Sequence, residues 1–100
     1  RPEYHSGSLV VTPSRHLVQV NGQPVTLTLK EYDLLCLFLS EPGTVFTRSR
    51  LLDEIWGYTF DGESRTVDVH IRTLRQKLGD VGACIQTIRG IGYKWEEQTE

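Results

Sequence analysis

Methionine is missing from this chain altogether, and cysteine occurs only twice. With no initiating residue and an opening of "RPEYHSGS", the sequence is expected to be a piece of a longer protein and to carry no signal peptide. Cys36 lies inside an apolar run and Cys84 follows "DVGA" in a turn, so the pair resembles no disulfide framework. A reducing cytoplasm is the expected location, although a single bridge between the two stays open. The longest apolar run, "LLCLFL" at 34–39, is far too short to span a bilayer, and no membrane partner is expected. His5, His16 and His70 are scattered without metal-ligand spacing, no Ser/His/Asp set is apparent, and "RGIGYKW" is rich in glycine but precedes no helix. These absences point away from an enzyme, from a metal and from a nucleotide cofactor.

What is present is an ordinary globular composition, 38% hydrophobic and 24% charged, in a length of 100 residues that suits one core rather than two. The net charge of −2 argues against nucleic acid only as an average. Residues 65–95 hold Arg65, Arg72, Arg75, Lys77, Arg89 and Lys94 against Asp68 and Asp80, a local balance of +4 in a chain that is acidic elsewhere. Such polarisation is the footprint of a nucleic-acid binder, with a solvated helix face as the alternative.

"LVVT" (9–12), "HLVQV" (16–20) and "PVTLT" (24–28) read as short strands of a small antiparallel sheet. Asn21-Gly22 joins the last two, a pair suited to the positive φ values of a type I′ turn. Thr28 and Glu31 make a capping box before a helix expected over 29–41, apolar nearly all round and so central. Pro42-Gly43 ends it, and "TVF" (44–46) is a brief extended piece. Thr47 caps a second helix, "RSRLLDEIW", which Gly57 stops. After the loop "YTFDGES" (58–64), Ser64 is expected to cap a third helix that ends at Gly79, and "IQTIRGIGYKW" (85–95) reads as two strands turning near Gly90 and Gly92.

At about 100° per residue the third helix gathers Val67, Ile71, Leu74 and Leu78 into one packing stripe. Arg65, Val69, Arg72 and Gln76 lie opposite, with Thr73 at their edge. Asp68 and Arg72 are spaced to pair across one helical turn. An outward valine gains nothing from water but suits a thymine methyl in a major groove, although a basic protein-binding helix remains open. Arg89, beside Gly90 at a hairpin tip, suits a narrow minor groove, or else is an ordinary turn arginine. Tyr93 and Trp95 share a strand face, which is expected to be mostly buried.

"RTVDVHIRTLRQKL" followed by "IQTIRGIGYKW", with "LTLKEYDLLCLFLSEPG" and "RLLDEIWG" upstream, resembles the winged-helix effector domain of OmpR/PhoB-type response regulators over residues 8–96. The resemblance implies an α+β fold: a winged helix-turn-helix with an N-terminal four-stranded antiparallel sheet, three helices and a C-terminal β-hairpin wing. Residues 1–7 would be a linker remnant and 97–100 a tail. It implies sequence-specific binding of double-stranded DNA, with the recognition helix (about 64–78) in the major groove and the wing (about 85–95) in the minor groove. By position, Arg65, Thr66, Val69, His70, Arg72, Thr73 and Arg75 resemble the family's contacts from the helix. Thr87, Arg89 and Tyr93 resemble those from the wing, and Trp56 resembles a residue that reaches a phosphate. Thr73 stands where some members have a base-reading arginine, so no member's target sequence carries over. The loop of Tyr58, Thr59, Phe60, Asp61, Gly62 and Glu63 corresponds to a segment that faces RNA polymerase in some members, or is a plain connector. An N-terminal receiver domain, phosphorylated by a sensor kinase and absent here, would pair two effector domains on direct-repeat half-sites, whereas the fragment would be monomeric in free solution. The rival reading is a winged-helix protein-interaction module.

Overall fold

The computed structural model describes residues 3–58 and 62–97. Tyr4–Ser6 (β1), Leu9–Thr12 (β2), Leu17–Val20 (β3) and Gln23–Pro24 (β4) form an antiparallel sheet in sequence order. Alternation drives β2, where Leu9 and Val11 are buried opposite Val20 and Val18 of β3. Asn21 (φ 54) and Gly22 (φ 77) take the left-handed conformations that the tight hairpin requires. Two expectations change here. Tyr4–Ser6, expected to be linker, is the sheet's edge strand, paired with Leu9–Val11. The strand expected over 24–28 stops at Pro24, with one further bond from the Val25 amide to the Val18 carbonyl before the chain runs to the next helix cap.

Helix α1 spans Leu29–Ser40, and both halves of its capping box form. The Glu31 amide donates to Thr28 Oγ1 at 3.3 Å, and the Thr28 amide donates to Glu31 Oε1 at 2.9 Å. Its buried face, Leu34, Leu35, Phe38 and Leu39, packs in the centre of the domain, where Phe38 meets Phe46 edge to face at 5.8 Å. The second helix departs from the regular one expected over 48–56. Only Arg48–Leu51 (α2) is α-helical, capped by Thr47 Oγ1, and Leu52–Trp56 widen into a π-helical turn. Gly57 closes that turn by donating to Leu52 O at 3.0 Å, at a φ of 100° that favours glycine.

Helix α3 spans Arg65–Leu78, and its Val67, Ile71, Leu74 and Leu78 are all buried, as the periodicity requires. Ser64 does not cap it: its own backbone is already helical, and the first free amides bond to the carbonyls of Glu63 and Ser64 instead. Ile85–Ile88 (β6) and Gly92–Trp95 (β7) form the expected hairpin, and β7 also pairs with Phe46–Thr47 (β5) in a second sheet of order β5-β7-β6. β5 and β7 approach so closely at Gly92 that a side chain there would strike the backbone of Phe46. Trp95 is buried and donates its indole N–H to Ser6 Oγ at 3.1 Å, tying the hairpin to the first strand. Fold class, sheet, three helices and terminal hairpin thus agree with the expected architecture.

Candidate nucleic-acid interface

The outward face of α3 carries exposed Arg65, Arg72 and Gln76 around Val69, which keeps 53% of its surface open to solvent. Arg65 meets Glu63 at 3.7 Å, a loose pair between two side chains about four-fifths exposed, which holds the guanidinium only weakly. Arg72 has no side-chain partner among the described residues, and neither has Arg89 in the β6–β7 turn. Gly90 takes φ 76 beside Arg89, and the Ile91 amide closes the turn on Ile88 O at 2.8 Å. Exposed Ile91 completes a wing tip with one cation and one apolar side chain.

The pairing of Asp68 with Arg72 does not form. Asp68 Oδ1 instead accepts from Arg48 Nε at 2.8 Å and from the Tyr93 hydroxyl at 2.5 Å. A surface pair across one helical turn is worth only about 0.5 kcal/mol, whereas these two donors come from packed elements already facing the carboxylate. Burial pushes the Asp68 carboxyl up, but the bonds from Tyr93 and Arg48 outweigh it and hold the group below its ordinary range. The same contact raises Tyr93, with burial the larger cause. Tyr93 is only 5% exposed, so its ring and hydroxyl serve the interior more than an outside surface.

Arg75 is also engaged. Its Nε and Nη2 both donate to the Ile85 carbonyl, at 3.0 and 2.5 Å, and Nη2 donates to Thr87 Oγ1 at 2.9 Å. It is a brace from α3 to β6, with Thr87 exposed on the same strand. Thr73, expected on the edge of the outward face, is half-buried and donates to Glu31 Oε2 at 2.5 Å. Lys77 adds an ion pair to Glu31 Oε1 at 2.8 Å. Glu31 itself is 2% exposed. Burial would raise its carboxyl, yet the bonds from Lys77, Thr73 and the Thr28 amide together bring it down to about 2. One buried carboxylate therefore caps α1 and fastens α3 to it.

His70 is half-buried, with Nδ1 at 2.9 Å from Thr66 O, and since a carbonyl only accepts, Nδ1 carries the proton. The ring meets Trp56 edge to face at 4.9 Å, while Lys30 Nζ lies 5.7 Å from the Trp56 ring centre. Thr66 is half-buried on the first turn of α3. In the 58–63 loop, Tyr58 is 85% exposed and Gly62 and Glu63 are exposed, while Thr59, Phe60 and Asp61 lie outside the described residues. Arg48 was missed as a part of this surface, and Glu31 as the buried group that supports it. Glu31 showed only as half of a capping box, and nothing local announces that Arg48 meets Asp68, 20 residues away.

A four-stranded sheet, three helices with Val69 and Arg72 outward on the third, and a terminal hairpin with Arg89 exposed in its turn make the architecture of a winged-helix DNA-binding domain. The chain belongs to the family described as "Transcriptional regulatory protein, C terminal", whose pattern matches residues 22–95. It is 43% identical over 94 residues to the sensory transduction protein RegX3 of Mycolicibacterium smegmatis, covering 91% of this chain and 41% of that protein. It is 44% identical over 92 residues to the heme response regulator HssR of Staphylococcus aureus, covering 90% and 41%. Among solved structures, the Klebsiella pneumoniae RstA DNA-binding domain in complex with RstA box superposes with a TM-score of 0.85 at 32% identity, over 96% of this chain and 98% of that one. The chain spans about two fifths of the length of the curated relatives it matches. It is a DNA-binding output domain of the OmpR/PhoB response-regulator kind, not an enzyme. No helix among the described residues is long and apolar enough to cross a membrane.

Proposed function

We propose that α3 lies in the major groove of double-stranded DNA, with Val69 and Arg72 reading base edges, and that the wing turn sets Arg89 in the adjacent minor groove. The observation that carries this reading is the distribution of cations. Arg75 and Lys77 are committed to internal bonds, whereas Arg72 and Arg89 stand exposed with no partner among the described residues. Arg65, Thr66, His70, Trp56 and Thr87 supply backbone contacts, which fix register and orientation but not sequence. Thr73, Arg75 and Tyr93 act mainly from behind, since their polar groups hold Glu31, β6 and Asp68.

A single module of this size contributes few phosphate contacts, so this chain, a monomer in solution, binds weakly and gains affinity when two occupy direct-repeat half-sites. The RstA domain's complex with its box supports DNA as the partner. The likeness to proteins named as response regulators supports a phosphorylatable receiver domain as the element that pairs two copies. Its setting is the bacterial cytoplasm, and the segment 58–63, of which Tyr58, Gly62 and Glu63 are exposed, is a surface for RNA polymerase.

Selection of bound sequences from a random double-stranded pool at two salt concentrations tests the reading. Enrichment of a short motif, with affinity that falls as salt rises, is the expected result. Salt-sensitive binding without any enriched motif refutes base reading by α3, and absence of binding in a folded sample favours the protein-interaction module.

A further inference from the structure

Asp68 is a negative charge on the helix that faces the phosphates, in a segment where acidic residues are scarce. It therefore opposes the binding that surrounds it, unless it serves something else. Its Oδ1 joins Arg48 at the start of α2 to the Tyr93 hydroxyl on β7. The guanidinium carbons of Arg48 and Arg75 each lie 5.6 Å from the centre of the Tyr93 ring, and Arg75 continues to Ile85 and Thr87 on β6. Phe46 of β5 is in register with Tyr93, immediately before α2 begins. Both strands of the wing, α2 and α3 thus converge on Tyr93 and Asp68.

We propose that Asp68 is a positioning residue for DNA recognition: by holding Tyr93 and Arg48 it sets the wing's distance and angle to α3, so that both reach one duplex together. The proposal rests on the reading that Arg89 enters the minor groove. Two contact elements on one rigid body bind the second groove at high effective concentration, and a loosened wing loses that advantage. Asp68 therefore opposes phosphate binding locally and strengthens recognition through the wing.

A double-mutant cycle on this chain separates the roles, using the motif recovered from the random pool and a scrambled duplex at one salt concentration. Thermal unfolding confirms that each variant is folded. Arg89→Ala weakens motif binding in the wild-type background and weakens it much less in Asp68→Asn, a coupling of roughly fivefold or more between side chains that do not touch. Tyr93→Phe, which leaves the Asp68 charge in place, diminishes the effect of Arg89→Ala in the same way. Equal effects of Arg89→Ala in both backgrounds overturn the proposal. So does tighter binding by Asp68→Asn with unchanged motif preference, the sign expected if the carboxylate acts only as a charge. If Arg89→Ala has no effect in the wild type, the minor-groove reading fails, and hydrogen exchange decides about Asp68. The Ile91 and Tyr93 amides should then exchange about tenfold faster or more in Asp68→Asn, and unchanged protection of the wing overturns the positioning role.

Discussion

Replacing Glu31 by glutamine keeps the side chain's size and removes its charge. In the native domain this carboxylate is almost fully buried and accepts from Lys77, Thr73 and the Thr28 amide. Its pKa falls from an ordinary 4.5 to about 2, a differential stabilisation of the charged form of about 3 kcal/mol at 1.36 kcal/mol per unit. Because the folded value is the lower one, the unfolded chain binds the proton first as pH falls. The stabilisation is complete above about pH 4.5 to 5 and is lost progressively towards pH 2, with roughly 2 of the 3 kcal/mol gone by pH 3. Denaturant unfolding of wild type and Glu31→Gln at pH 7 and pH 3 measures this directly, since every other titrating group is common to both. Glu31→Gln should be less stable by about 2 to 3 kcal/mol at pH 7, and the gap should shrink to about 1 kcal/mol at pH 3. A gap of the same size at both pH values would mean that shape and not charge explains the residue, and would refute the role given to the Lys77 and Thr73 bonds.

Three further predictions concern reading, packing and the tie between the two sheets. Arg72→Ala and Val69→Ala should each reduce the discrimination between the selected motif and single-base variants by about 1 to 3 kcal/mol in competition binding. Uniform weakening of all sequences would move both residues to backbone contacts. Gly92→Ala should destabilise the domain by more than about 2 kcal/mol in thermal or denaturant unfolding, because the added methyl meets the backbone of Phe46 and not a flexible side chain. Ser6→Ala leaves the Trp95 indole N–H buried without its acceptor and should cost about 1 to 3 kcal/mol, and an unchanged unfolding midpoint would show that β1 does not contribute to the core.

What was legible in the sequence is local or periodic. Asn21-Gly22 announces its hairpin because few residues tolerate positive φ. Thr28 and Glu31 announce a helix start because their reciprocal bonds span only three residues. Val67, Ile71, Leu74 and Leu78 announce the buried side of α3, and with it the outward Val69 and Arg72, because helical pitch leaves no other arrangement. The cations of the wing and of α3 are therefore countable in the sequence alone, and the resemblance named the fold from extended agreement along the chain.

Only the tertiary structure decided which charged groups remain available to DNA. Arg75 and Arg72 look alike in sequence, yet one braces β6 and the other stands free of partners among the described residues. Asp68 has a partner available one turn away but bonds to Arg48 and Tyr93, 20 and 25 residues off along the chain, and Glu31 reaches Thr73 and Lys77 at separations of 42 and 46. The sequence by itself determined the Asn21-Gly22 hairpin, the start of α1 and the buried face of α3, which depend on local conformation and apolar periodicity, together with the excess of positive charge, but not the edge strand Tyr4–Ser6 or the π-helical turn at Leu52–Trp56. Partner choice belongs to the folded state. A carboxylate bonds to whichever donors packing has already desolvated and brought within reach, and that depends on how strands and helices meet, not on their spacing in the chain.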